Sequence, residues 1–144
     1  MTIKQLQDKV TKLRNEVSAM FEQELKKLEP EINKLITSQL GKGIKGDGSK
    51  IVPQYSDQYA KKKGKKTPDL KVSGSFWDSI KITSIQDNIA QIEGNLTNKG
   101  FDVAKHHEKR YTSGIYELTK QNRDIIFAKL NSNILIRINN ELKG

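Results

Sequence analysis

The sequence predicts an α+β fold: a long N-terminal amphipathic helix and a C-terminal helix packed on a small antiparallel β-hairpin, with long basic loops. Three observations predict it. Apolar residues recur at three- and four-residue steps over the first 40 positions. They recur at every fourth position from Ile126 to Leu142. Between these stretches, residues 80–92 alternate apolar and polar about an Asp87-Asn88 turn. We read residues 1–144 as a single domain. It divides into an N-terminal helix (1–40), a flexible basic loop region (41–72), and a hairpin and C-terminal helical part (73–144).

The first helix carries Ile3, Leu6, Val10, Leu13, Val17 and Met20 on one face, and the stripe resumes at Leu28, Ile32 and Leu35. Thr2 suits its N-cap. Pro30 lacks a backbone N–H and clashes with the preceding turn, so a kink or break is expected near Leu28–Glu29. Gly41 or Gly43 ends the helix. A coiled-coil seam is disfavoured because the heptad slips near Glu24. Four glycines and three lysines make up half of residues 41–54, which read as flexible loop. Residues 55–63 predict a short helix capped by Ser56, with Tyr59 and Ala60 packed inward.

After the Lys61–Lys66 run and Pro68, Ser73 suits a second cap. Phe76, Trp77 and Ile80 then fit one or two helical turns, with one of the adjacent aromatics in the core. Strands of about 80–86 and 89–94 follow. A lone hairpin is marginal in water, so its apolar face should pack on the long helix. Residues 98–111 predict a helical segment, broken at Thr112-Ser113-Gly114. Thr119 caps the last helix. Its Ile134-Leu-Ile-Arg-Ile138 run alternates like a strand, but the four-residue rhythm on both sides favours helix.

Only 34% of the residues are hydrophobic and 30% are charged, so the core is small for the length and some helix faces should depend on partner chains. The net charge of +9 is concentrated: residues 41–72 hold nine lysines against three aspartates, while the first 40 residues are nearly balanced. Such a stretch favours phosphates or an acidic protein surface, or serves as a solvated loop. The absence of cysteine excludes disulfides and thiolate metal sites. No apolar run approaches the roughly 20 residues of a membrane span, and the N-terminus lacks a secretory signal's apolar stretch. A cytoplasmic product, without membrane contact, is expected.

No residue set points to catalysis. Paired carboxylates in a recognisable context, a Gly-x-Ser-x-Gly elbow and a supported Ser/His/Asp set are all missing from the sequence. Residues 41–50 lack the order of a phosphate-binding loop. His106 and His107 are adjacent, so on a helix they point about 100° apart and cannot easily share an ion. Neither an enzyme nor a bound metal or cofactor is expected. The candidate contact residues are Lys61, Lys62, Lys63, Lys65 and Lys66, which can neutralise phosphates beside the stackable rings of Tyr55 and Tyr59. No helix-turn-helix or zinc-finger pattern accompanies them.

One longer pattern stands out. Tyr55, Tyr59, Ala60 and Lys63 form a Tyr-x-x-x-Tyr-Ala-x-x-Lys element. Asp69, Leu70, Ser73, Gly74, Phe76, Ser79 and Ile80 then spell Asp-Leu-x-x-Ser-Gly-x-Phe-x-x-Ser-Ile. Ala104-Lys-His106-His-Glu108 follows, and Arg110 to Leu118 precede the last helix. This order resembles the tail-completion (virion morphogenesis, head–tail connector or neck) proteins of tailed bacteriophages, over roughly residues 1–130. Ser73 stands where that family more often has threonine, and the glycine usual after the His-Glu pair is missing. The resemblance implies a non-enzymatic virion subunit at the head–tail junction or tail, assembled in the bacterial host cytoplasm. Its implied partners are copies of itself in a ring, portal or connector proteins, and tail proteins. Non-specific contact with genomic DNA would be made by the five lysines, and the other motif positions would be structural. The alternative is a small basic DNA-binding protein or another accessory virion protein.

Overall fold

A computed structural model describes residues 1–111 and 114–144. Its architecture is α+β. Helix α1 (Ile3–Lys27) is followed by α2 (Glu29–Gly41), α3 (Asp57–Lys63) and α4 (Ser75–Asp78). Strands β1 (Lys81–Gln86), β2 (Ile89–Glu93), β3 (Thr97–Asn98) and β4 (Phe101–Asp102) come next, then α5 (Val103–Tyr111) and α6 (Lys120–Lys143). No described helix is long and apolar enough to cross a membrane.

Thr2 and Gln5 close a capping box at the start of α1: the Gln5 N–H donates to Thr2 Oγ1 at 3.2 Å and the Thr2 N–H to Gln5 Oε1 at 2.8 Å. The break comes where Pro30 requires it. Leu28 is both the C-cap of α1 and the N-cap of α2, and it is buried at the elbow. Arg137 Nη1 on α6 donates to Gln23 and Glu24 on α1, and Lys129 reaches Glu31 on α2. Thus α6 runs antiparallel to the α1–α2 pair. The Glu24 carboxylate is buried between Lys27 and Arg137. The Lys27 hydrogen bond outweighs desolvation and, with Arg137, holds its pKa below the usual carboxylate range.

The core gathers Leu25, Leu28, Ile32, Ile36 and Leu40 with Ile126 and Leu130 of α6. Ile51, Pro68 and Leu70 are also buried, so the basic stretch is anchored at three points. Its glycine-rich part forms an Ile44–Lys50 bridge, and the Gly46 N–H donates to the Gly114 carbonyl at 2.9 Å. A Cβ at Gly46 would lie 2.9 Å from the Glu117 carbonyl oxygen, so this close approach needs glycine.

β1 and β2 pair antiparallel through Asp87 (φ 51°) and Asn88 (φ 60°), the doubly left-handed pattern of a type I′ turn. A bulge between Ile82 and Ser84 lets Ile82 and Ile85 both pack against the core despite their odd spacing. The hairpin sits on α2, beyond the elbow: the Ile82 N–H donates to Glu29 Oε2, and Asn33 Nδ2 donates to the Trp77 and Ile80 carbonyls. Thr119 caps α6 by accepting from the Asn122 N–H, and residues 134–138 are helical.

Several expectations need correction. Helix α5 begins at Val103, because Lys99 (φ 49°) and Gly100 (φ 79°) turn the chain into the small β3–β4 hairpin first. Tyr59 is exposed instead of packed inward; Tyr55 takes the inner position and Tyr59 lies edge-on against it at 4.7 Å. Ser73 is not the N-cap of α4. Gly74 holds that place with φ 96°, and Ser73 Oγ instead accepts from the Ser75 N–H in a local turn. Phe76 is the buried member of its pair and Trp77 the half-buried one. The break expected at Thr112-Ser113 lies outside the described residues.

Candidate functional site

Helix α3 presents the lysine run. Ser56 Oγ caps it by accepting from the Tyr59 N–H, and Gly64 closes it in the left-handed conformation. Lys61, Lys62 and Lys63 fall in its last turn, where the helix dipole favours cations. Ala60 is half-buried on the inner side. From there the lysines diverge. Lys61 and Lys62 are exposed and make no ion pair among the described residues. Lys66 pairs with Asp57 at the surface. Lys63, half-buried, and Lys65, still exposed, grip the two carboxylate oxygens of Asp69, at 3.2 and 3.1 Å.

Asp69 is therefore a hub. Its side chain is buried and also accepts from the Lys71 N–H (3.0 Å) and the Tyr55 hydroxyl (3.3 Å). Its carbonyl accepts from Trp77 Nε1 at 2.9 Å. Lys63 Nζ donates further to the Lys71 carbonyl, and Lys65 Nζ to that of Gly41. Burial works against the charged Asp69, but the Lys71 N–H and the two ammoniums prevail and lower its pKa. Burial, with the Asp69 charge beside it, pushes the Tyr55 hydroxyl up to about 12, so Tyr55 remains a donor. Leu70 takes φ 57°, a costly conformation for a residue with a Cβ, and its side chain is buried. Gly74, Phe76 and Ile80 complete the unit: the first turns the chain, and the other two enter the core. Most of the Tyr55–Ile80 pattern is thus a fold-building knot that leaves Lys61 and Lys62 exposed and without an ion pair among the described residues.

Beside it lies a cleft of about 280 Å³, bounded by Tyr55, Tyr59, Leu70, His106, His107 and Arg110 among others. His107 packs edge-on against Phe76 at 4.6 Å, and its buried Nδ1 has no hydrogen-bond partner. Burial, then His106 and Arg110, push its pKa down to about 4, so the ring is neutral at pH 7. Among the described residues no group of three or more His, Cys, Asp or Glu is placed to hold a metal ion.

A larger open groove of about 620 Å³ shares no lining residue with this cleft. Phe21 and Leu25 of α1, β2, residues 114–118, and Ile126 and Phe127 of α6 line it. Glu93, Glu108 and Glu117 stand around it with Arg123. Sequence reasoning did not find this groove, because six separated segments form it and none carries a local signal. The stripe on α1 was legible: Ile3 (78% exposed), Leu6 (45%) and Val10 (51%) carry the predicted apolar face into the open.

Comparison with known proteins finds no match to this chain among family models, curated proteins or solved structures.

Proposed function

We propose that this chain is a structural virion protein of a tailed bacteriophage, a ring subunit at the head–tail interface that joins or terminates the tail. The reading rests on the ordered Tyr55–Ile80 pattern with the Ala104–Glu108 stretch that follows it. The observation that carries it furthest is physical. This small basic chain leaves both an apolar helix face and an apolar groove uncovered. Exposed apolar area of this kind marks a surface meant for other proteins. The reading contains no catalytic step. Its partners are further copies of the chain, portal or connector proteins, and tail proteins. Assembly takes place in the bacterial cytoplasm.

In this reading Lys61 and Lys62 face the DNA channel. The same pair favours the second reading, a small basic DNA-binding protein, since both cations are exposed and carry no ion partner among the described residues. An amber knockout in the source phage, viewed by negative-stain electron microscopy, separates the two. Filled heads without tails, or unjoined or overlong tails, are expected. Normal tailed particles would reject the junction role and favour the DNA-binding reading.

A further inference from the structure

The groove and the open end of α1 are complementary in both apolarity and charge. The groove is floored by apolar side chains and rimmed by Glu93, Glu108 and Glu117 against a single cation, Arg123; none of the three carboxylates has an ion-pair partner among the described residues. The first half of α1 has the opposite character. Ile3, Leu6 and Val10 are exposed on one face, and Lys4, Lys9, Lys12 and Arg14 accompany them against a single acid, Asp8, up to residue 14. These cations too lack ion pairs among the described residues.

The two features cannot meet within one chain. Phe21 and Leu25, near the other end of α1, already line the groove. Helix α1 is continuous from Ile3 to Lys27, so Ile3 stands about 27 Å along the axis from Phe21, at about 1.5 Å per residue. A rigid rod cannot bring its own far end back to that point.

We infer that the groove takes the N-terminal half of α1 from a second copy of this chain, with Ile3, Leu6 and Val10 in the apolar floor and the lysines against the glutamate rim. The inference rests on the ring-subunit reading and gives it a contact. Donor and acceptor are different patches, so the contact is head-to-tail. Such contacts close into rings when the rotation allows and otherwise propagate. The helix supplies a cationic amphipathic face, and burying its apolar stripe supplies most of the affinity while the charges set its direction.

The absence of cysteine makes the test clean. Val10→Cys and Ile89→Cys are prepared separately in the full chain; both positions are exposed, so neither change disturbs the core. A short bismaleimide linker should join the two variants when they are mixed. A chain carrying both substitutions should give a ladder extending beyond dimer. Leu6→Glu with Val10→Glu should weaken association at least tenfold, with an unchanged circular dichroism spectrum and melting temperature. Linkage of Val10→Cys only to itself would overturn the inference, since the helices would then pair with each other. A chain that stays monomeric at high concentration, with no mixed product, would also overturn it. Rings that form without the mixed link would sink this contact and leave the ring reading standing. Normal tailed knockout particles would reject the virion reading and leave the cross-link result intact.

Discussion

Asp69 and His107 are two of the residues whose ionisation the fold holds away from the ordinary range, in separate pH windows. The Asp69 carboxylate answers two lysines, a backbone N–H and a tyrosine hydroxyl. Removing its charge leaves half-buried Lys63, and Lys65 at the rim, facing a neutral group. Asp69→Asn should cost about 2–4 kcal/mol, read from the shift in urea midpoint. Because the folded pKa lies below the unfolded value of about 3.9, this contribution is present above that value and is lost as pH falls through the folded one. His107 acts earlier. Its folded pKa of about 4 lies below its ordinary 6.5, so between these values the unfolded chain binds a proton that the folded chain refuses. Stability should therefore fall as pH drops from 6.5 towards 4. Urea midpoints of His107→Leu should be flatter across that interval, while the steep loss below pH 4 remains.

At the scale of elements, the β1–β2 hairpin depends on its turn. Asn88 holds φ 60° in a solvent-exposed position, which asparagine tolerates and β-branched residues resist. Asn88→Val should cost about 1–2 kcal/mol, and Asn88→Gly should be neutral or stabilising, both measured by thermal denaturation. The loop between α2 and α3 depends on Gly46, whose close approach to residue 117 leaves no room for a methyl group. Gly46→Ala should detach this loop from the 114–118 segment, seen as faster amide exchange at Gly46 and neighbouring residues. Local chemistry had announced several of these features: Thr2, Ser56 and Thr119 cap as their types suggest, and Pro30 ends α1. The bulge at Thr83 and the small β3–β4 hairpin had weaker signals. A one-residue slip and a two-residue strand alter too few positions to shift a periodic pattern.

On the scale of the whole molecule, the charge excess separates into structural and available parts. Lys63 and Lys65 neutralise Asp69, and Lys61 and Lys62 remain for a polyanion. Affinity for non-specific duplex DNA should fall with salt, and Lys61→Ala with Lys62→Ala should reduce the log–log slope by about 1.8 without altering stability, if each lysine neutralises one phosphate. Fluorescence anisotropy titrations at several salt concentrations measure this. Replacing Lys63 and Lys65 should instead lower the melting temperature, because their cost falls on the Asp69 hub. A solvated run of five equivalent lysines would show the same slope change per residue at every position.

The sequence by itself determined the types of the longer elements, the caps at Thr2, Ser56 and Thr119, the elbow at Leu28 and the side of each long helix that is apolar. These properties depend on residues within a few positions of one another, where spacing and backbone preference act directly. It also carried the ordered pattern from Tyr55 to Ile80, without revealing what that pattern does inside the fold. Only the tertiary structure decided that Asp69 gathers two of the five lysines, that Tyr55 and not Tyr59 points inward, and that an acid-rimmed groove opens beside β2. Each of these brings together segments far apart in the chain, and burial and charge pairing are settled by which surfaces meet in three dimensions.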